Sequence, residues 1–239
     1  MDSAPLSGDE RAALEGLAAD LRRVFGGRLL SVVAYGLNRP VPPPRLVHSL
    51  ALVERLAFAD LAACAPLAPS WQRRSLAVPL LLEREEFFRT LDVFPLEYGD
   101  IIANHVSIAG VDPFGTTRVS PNDVRRACEL AAKSHLIHLR EGFLESGGSP
   151  HAVSSLIAAS AGAFRALLDN IARLADDEGD DVAETAERQI GISAAVVREV
   201  LSAGAGTRST IAEPTALLAQ YVTAAERVWE YVDTWRVRA

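Results

Sequence analysis

Residues 28–36, RLLSVVAYG, decide how the first half of the chain is read. Arg28 to Tyr35 is short, rich in β-branched residues and almost wholly apolar. That composition fits a strand covered on both faces, where the in–out alternation of a half-exposed strand is lost. Gly36 closes it. Just before it, Leu14, Leu17, Ala18, Leu21, Val24 and Phe25 recur at spacings of three and four. This predicts an amphipathic helix over 10–25, ended by Gly26-Gly27. Residues 1–9 read as a disordered tail.

After Gly36 comes Leu37-Asn38-Arg39-Pro40-Val41-Pro42-Pro43-Pro44-Arg45. Its prolines lack the N–H that a helix or central strand needs, so it reads as a stiff extended loop. Leu46–Val53 returns to strand character, and Glu54–Cys64 reads as helix. Ala65–Ser70 reads as a break, with Pro66 and Pro69. Leu76–Leu82 reads as a third strand, with Pro79 arguing for an edge or a bulge. Glu83–Leu91 reads as a short helix, Val93–Tyr98 as a fourth strand, and Asp100–Ile108 as a helix or helical turn.

Beyond Gly110 the periodicity becomes helical throughout. Ser120-Pro121-Asn122-Asp123 is a helix start, with serine as N-cap and proline at the first helical position. The helix runs to Glu145. Others follow over 153–175, 182–190, 194–203 and 214–236, separated by Ser146–Pro150, the acidic loop 176–181 and the polar turn 204–210. The fold class is therefore α+β: a small mixed sheet with helices over residues 10–115, then an all-α helical bundle over 120–239.

Composition excludes whole classes of function. The chain has 239 residues, a net charge of −7, 49% apolar and 23% charged residues. That profile is globular, and the acidic balance argues against general nucleic-acid or anionic-membrane binding. No membrane span and no secretory signal are expected. Cys64 and Cys128 fall in helical stretches without a paired motif and read as free thiols of a reducing cytoplasm. Lys133 is the sole lysine against many arginines, the codon bias of a G+C-rich genome. There is no GxxxxGK[ST] loop, GxGxxG, GxSxG or CxxC, and Gly204-Ala205-Gly206 lacks the strand-before-helix context of a dinucleotide site. His135 and His138 share a helix face, but no second pair completes a zinc site. No arginine stands at the spacing before a histidine that helical RNases use. Trp229 and Trp235 read as bundle packing.

The order helix, Gly-Gly turn, SVVAYG, further strands, DVFPLEYGDI and a helical bundle resembles the nucleotidyltransferase superfamily. The type is that of small bacterial proteins joining a minimal nucleotidyltransferase domain to a bundle. The resemblance implies an active site opened by a strand ending Tyr-Gly-Ser; here Tyr35-Gly36-Leu37 keeps the glycine and loses the hydroxyl. It implies two metal-holding carboxylates, Asp-x-Asp, on the second strand, where spacing of two puts both on one face. Their positions fall near Leu46 and His48, and no Asp or Glu occurs between Gly36 and Val53. It also implies a donor-rich phosphate loop, which the four prolines cannot supply. The third family carboxylate is matched by Glu97, with Asp100 as runner-up, and His105 faces the old cleft.

The reading is a catalytically inactive nucleotidyltransferase-like protein, a pseudoenzyme, with a binding, regulatory or interaction role. The cleft contacts are Gly36, Leu37, Asn38, Arg39, His48, Glu97, Asp100 and His105, with no catalytic or metal-ligating residue. The bundle supplies the second wall of the cleft and a homodimer surface. A protein partner or small-molecule ligand is expected, with no nucleic acid, no membrane and no cofactor. The alternative is a divergent enzyme, using Mg2+ and nucleotide to transfer a nucleoside monophosphate to a small molecule or protein.

Overall fold

The computed structural model describes residues 6–37, 46–177, 179, 181–206 and 211–236. The proline-rich segment, Asn38 and Arg39 lie outside the described residues, as does most of the expected N-terminal tail. The chain divides into two compact units, Met1–Val119 and Ser120–Ala239.

Unit 1 begins with α1 (Gly8–Phe25). It starts earlier than the periodicity suggests because Ser7 and Glu10 form a reciprocal capping box, Glu10 N–H donating to Ser7 Oγ at 3.2 Å and Ser7 N–H to Glu10 Oε2 at 2.9 Å. A 3-10 turn over Gly26–Arg28 leads into β1 (Leu29–Tyr35). β2 (His48–Val53) follows, then α2 (Phe58–Cys64), α3 (Ala68–Arg73), β3 (Leu80–Glu83), α4 (Arg84–Arg89), α5 (Pro95–Ala103) and β4 (Val106–Gly110). Among the described residues the strands form one mixed sheet in the order β3-β2-β1-β4. β1 pairs antiparallel with β2 and β4, and β2 pairs parallel with β3. Proline 79 does precede an edge strand, as its missing donor requires.

Three expectations are corrected here. Val93–Tyr98 is not a strand: Pro95 sits in the first turn of α5, where a missing N–H costs nothing. Pro95, Tyr98, Ile101 and Ile102 then make one buried helical stripe. The second half of the expected 100–108 helix is strand β4, which Gly110 ends at φ +79°. A side chain there is impossible, since a Cβ would lie 2.1 Å from the Leu30 carbonyl oxygen. The expected break at 65–70 holds a 3-10 turn and the start of α3, because Pro66 and Pro69 also occupy first-turn positions.

β1 is covered on both faces. On one, Leu14, Leu17, Leu21 and Phe25 of α1 pack with Val32, Ala34, Ala51 and Trp71. The Trp71 indole N–H donates to Asp20, a buried carboxylate also bound by Arg23. On the other, Val33, Leu50 and Leu52 meet Phe87, Tyr98, Ile101 and Phe114, with Phe87 stacked on Tyr98 at 4.4 Å. Arg28 clamps Asp60 with two hydrogen bonds of 2.8–2.9 Å, and that pairing holds the Asp60 carboxyl down at about 2.

Unit 2 comprises α6 (Pro121–Glu145), α7 (Pro150–Leu174), α8 (Val182–Ile190), α9 (Ala194–Gly204) and α10 (Pro214–Thr234). α7 is central, touching all four others. By length and composition it would pass for a membrane-crossing helix, with mean hydropathy 1.3. Its apolar stripe, including Val153, Ile157, Phe164, Leu168 and Ile171, is buried in the bundle.

Candidate functional site

The site is built at the end of the sheet where β1 stops. Gly36 carries φ +68°, a left-handed turn that removes the chain from the sheet after Tyr35. Antiparallel register places Tyr35 opposite His48, with ring centroids 5.7 Å apart. On the other side, Ala34 pairs with Val106, the first residue of β4, and His105 is the residue just before that strand. Tyr35 and His48 thus stand opposite each other at this end of the sheet.

His48 is exposed and Leu46 is 41% exposed. Strand periodicity puts both on the Leu50 face, the geometry that paired carboxylates would need. The residues there are an aliphatic chain and an imidazole. Leu37 is different: it is 3% exposed and belongs to the core on the α1 face. A packed leucine stands where the resemblance implies a phosphate-contacting hydroxyl.

The two acidic candidates lie on α5, not on a strand. Glu97 is exposed, while Asp100 is half-buried and accepts a hydrogen bond from Asn104 Nδ2 at 3.0 Å. They are one helical turn apart. His105 is held at both ring nitrogens, Nδ1 at 3.0 Å from the Ile102 carbonyl and Nε2 at 3.3 Å from Asp112 Oδ1. Both partners are acceptors. Its edge meets Phe114 at 4.8 Å. Asp112 is held below its ordinary carboxylate range, first by the Phe114 backbone N–H and then by His105. Sequence spacing gave no sign of this turn; it depends on the chain reversing after Gly110. Among the described residues, no three His, Cys, Asp or Glu side chains gather as a metal site.

A second feature went unforeseen. An open groove of about 380 Å³ is lined by Asp9, Ala12, Ala13 and Arg74. The usable signal was Gly16, an interior helix glycine: a Cβ there would meet the Arg74 guanidinium at 2.6 Å.

The unit 2 histidines do not act as a pair. His135 Nε2 lies 2.7 Å from the Tyr221 hydroxyl, and its ring stacks on Phe164 at 5.6 Å. Burial, with the nearby His138 adding, pushes its pKa down to about 4. His138 is exposed and 3.3 Å from Ser134 Oγ. Burial also pushes the Cys128 thiol up to about 12, so both cysteines, free and buried, are inert hydrophobes in practice. Trp229 is half-buried under Lys133, whose ammonium stands 3.6 Å from the ring centroid.

No family model matches the sequence, and no curated protein matches it. Among solved structures the chain is similar to the crystal structure of a spectinomycin adenyltransferase from Enterococcus faecialis with ATP and spectinomycin. The TM-score is 0.55 at 8% identity, covering 91% of this chain and 98% of that one. At such identity the likeness is one of fold. The chain has the nucleotidyltransferase-like α+β architecture, a small mixed sheet followed by helices, that its sequence resembles.

Proposed function

We propose that the protein is a binding protein built on a nucleotidyltransferase-like fold, without metal-dependent nucleotidyl transfer. One observation supports the reading: Leu46 and His48 lie on one face of the strand, and the resemblance implies two carboxylates near those positions. A hard divalent cation takes oxygen ligands, and one imidazole beside a leucine does not replace them. The burial of Leu37 supports the same reading, since that side chain serves the core. The placement of Glu97 and Asp100 on one turn of α5, with Asp100 bonded to Asn104, supports it further. The role is regulatory or interactive, in the cytoplasm, with a ligand or protein received at the Gly36 end of the sheet.

Titration calorimetry with ATP, GTP, CTP and UTP, with and without Mg2+, tests this. The expected result is that Mg2+ adds nothing to any nucleotide's binding. Incubation with ATP, Mg2+ and spectinomycin, the pair of compounds bound in the structural neighbour, is expected to release no pyrophosphate. Magnesium-dependent micromolar binding, or any nucleotidyl transfer, overturns the proposal in favour of a divergent enzyme using Glu97 and Asp100.

A further inference from the structure

The strongest unexplained surface lies on α6. Its inner stripe, Cys128, Ala132, Leu136 and Leu139, is buried in the bundle. On the opposite side Leu130, Ile137 and Leu144 are exposed by 74%, 41% and 77%. They stand seven residues apart, two helical turns, and so make one row about 21 Å long. Arg126, Lys133 and Arg140 repeat at the same interval and run along one side of that row. An apolar row at spacing seven with a basic row beside it offers a second helix one apolar line and one charged line to pack against.

Each basic residue already has a contact within the chain: Arg126 pairs with Asp123 three residues away, Arg140 with Glu226, and Lys133 lies over Trp229. The two arginine pairs are exposed on the arginine side, and exposed ion pairs are weak and exchange readily. A second copy is a poor occupant. Packed antiparallel, two copies would set basic row against basic row. Packed parallel, they would set it against Ala127, Ser134 and Glu141, which offer one acid for three bases.

We infer that the outer face of α6 docks an amphipathic helix of another protein, with an apolar heptad row and an acidic flank. Glu141 borders the opposite side of the apolar row and asks for one basic residue of the partner, which would fix register. The inference does not depend on the proposed role of the sheet end.

Two fluorescent synthetic helices of about 24 residues test it, both with leucine at the heptad positions. One carries glutamate along the flank facing the basic row and the other carries lysine. Anisotropy titrations against the full-length protein are expected to show the acidic helix binding at least about tenfold tighter, with affinity falling as salt rises. Ile137→Glu, at an exposed position, is expected to abolish binding with unchanged circular dichroism, and the double variant R126E/R140E to reverse the flank preference. Equal binding of the two helices, or no binding of either, overturns the inference. So does sedimentation of the protein as a dimer that Ile137→Glu converts to monomer, because the occupant is then a second copy.

Discussion

Two tyrosine–histidine contacts, one in each unit, have nearly the same separation and opposite chemistry. Tyr35 and His48 meet at 5.7 Å between ring centroids, His135 and Tyr221 at 5.6 Å. The first contact is made by strand register at the end of a sheet, and its imidazole is exposed. The second is made by three long helices closing on one point, where Tyr221 is fully buried and Phe164 covers the His135 ring. Water decides the difference. Burial pushes the His135 imidazole toward its neutral form, and its Nε2 with the Tyr221 hydroxyl makes a polar pin inside an apolar bundle. The His48 imidazole is exposed at the end of the sheet. Residue type and distance alone do not make a site; packing does.

The largest way to break the contrast is to remove the packing. Phe164→Ala opens a void against His135 and Tyr221, and truncations of this kind cost about 3–5 kcal/mol. Urea unfolding followed by tryptophan fluorescence should show that loss, and a cost below about 1 kcal/mol would mean the bundle is not closed around these rings. Acid comes next. The unfolded-state histidine titrates near 6.5 and folded His135 near 4. Between those values the unfolded chain binds a proton that the folded chain refuses. Stability is therefore fully present above pH 6.5, declines as pH falls, and levels off below 4. The total loss is at most about 3 kcal/mol. His135→Gln should flatten that stretch of the stability–pH curve relative to the parent. Smaller still is Tyr221→Phe, which strips the hydroxyl and leaves the His135 nitrogen without its partner, costing about 1–2 kcal/mol in the same urea measurement.

The same contrast explains what could be read in advance. The bundle helices are long, and over 25 residues the three-and-four spacing of α6 and α7 outweighs any local irregularity. The start of α6 is marked by Ser120-Pro121, whereas Ser149-Pro150 reads as part of a break and in fact opens α7. In unit 1 the elements are four to nine residues long after β2, and proline became ambiguous. Pro66, Pro69 and Pro95 read as breaks or strand residues, yet each begins a helical turn. At the site, the face shared by positions 46 and 48 was legible because strand periodicity is two. The burial of Leu37 was not, since which side a residue takes after a left-handed turn depends on the three-dimensional path. Nor was the Asp112 contact of His105, seven residues away across a chain reversal.

The smallest expected effect sharpens the contrast most. His48→Ala removes an exposed ring at the end of β2, away from both cores, and surface changes of this kind stay within about 0.5 kcal/mol. Urea midpoints of the two proteins should nearly coincide, and the acid decline attributed to His135 should be unchanged. A loss above about 1 kcal/mol would assign His48 a structural duty like that of His135 and remove it from the candidate binding residues. If stability holds, any ligand found at the sheet end supplies the second half of the test. Its affinity should fall in His48→Ala and not in Tyr221→Phe, because only the exposed member of the two pairs faces a place where a ligand can arrive.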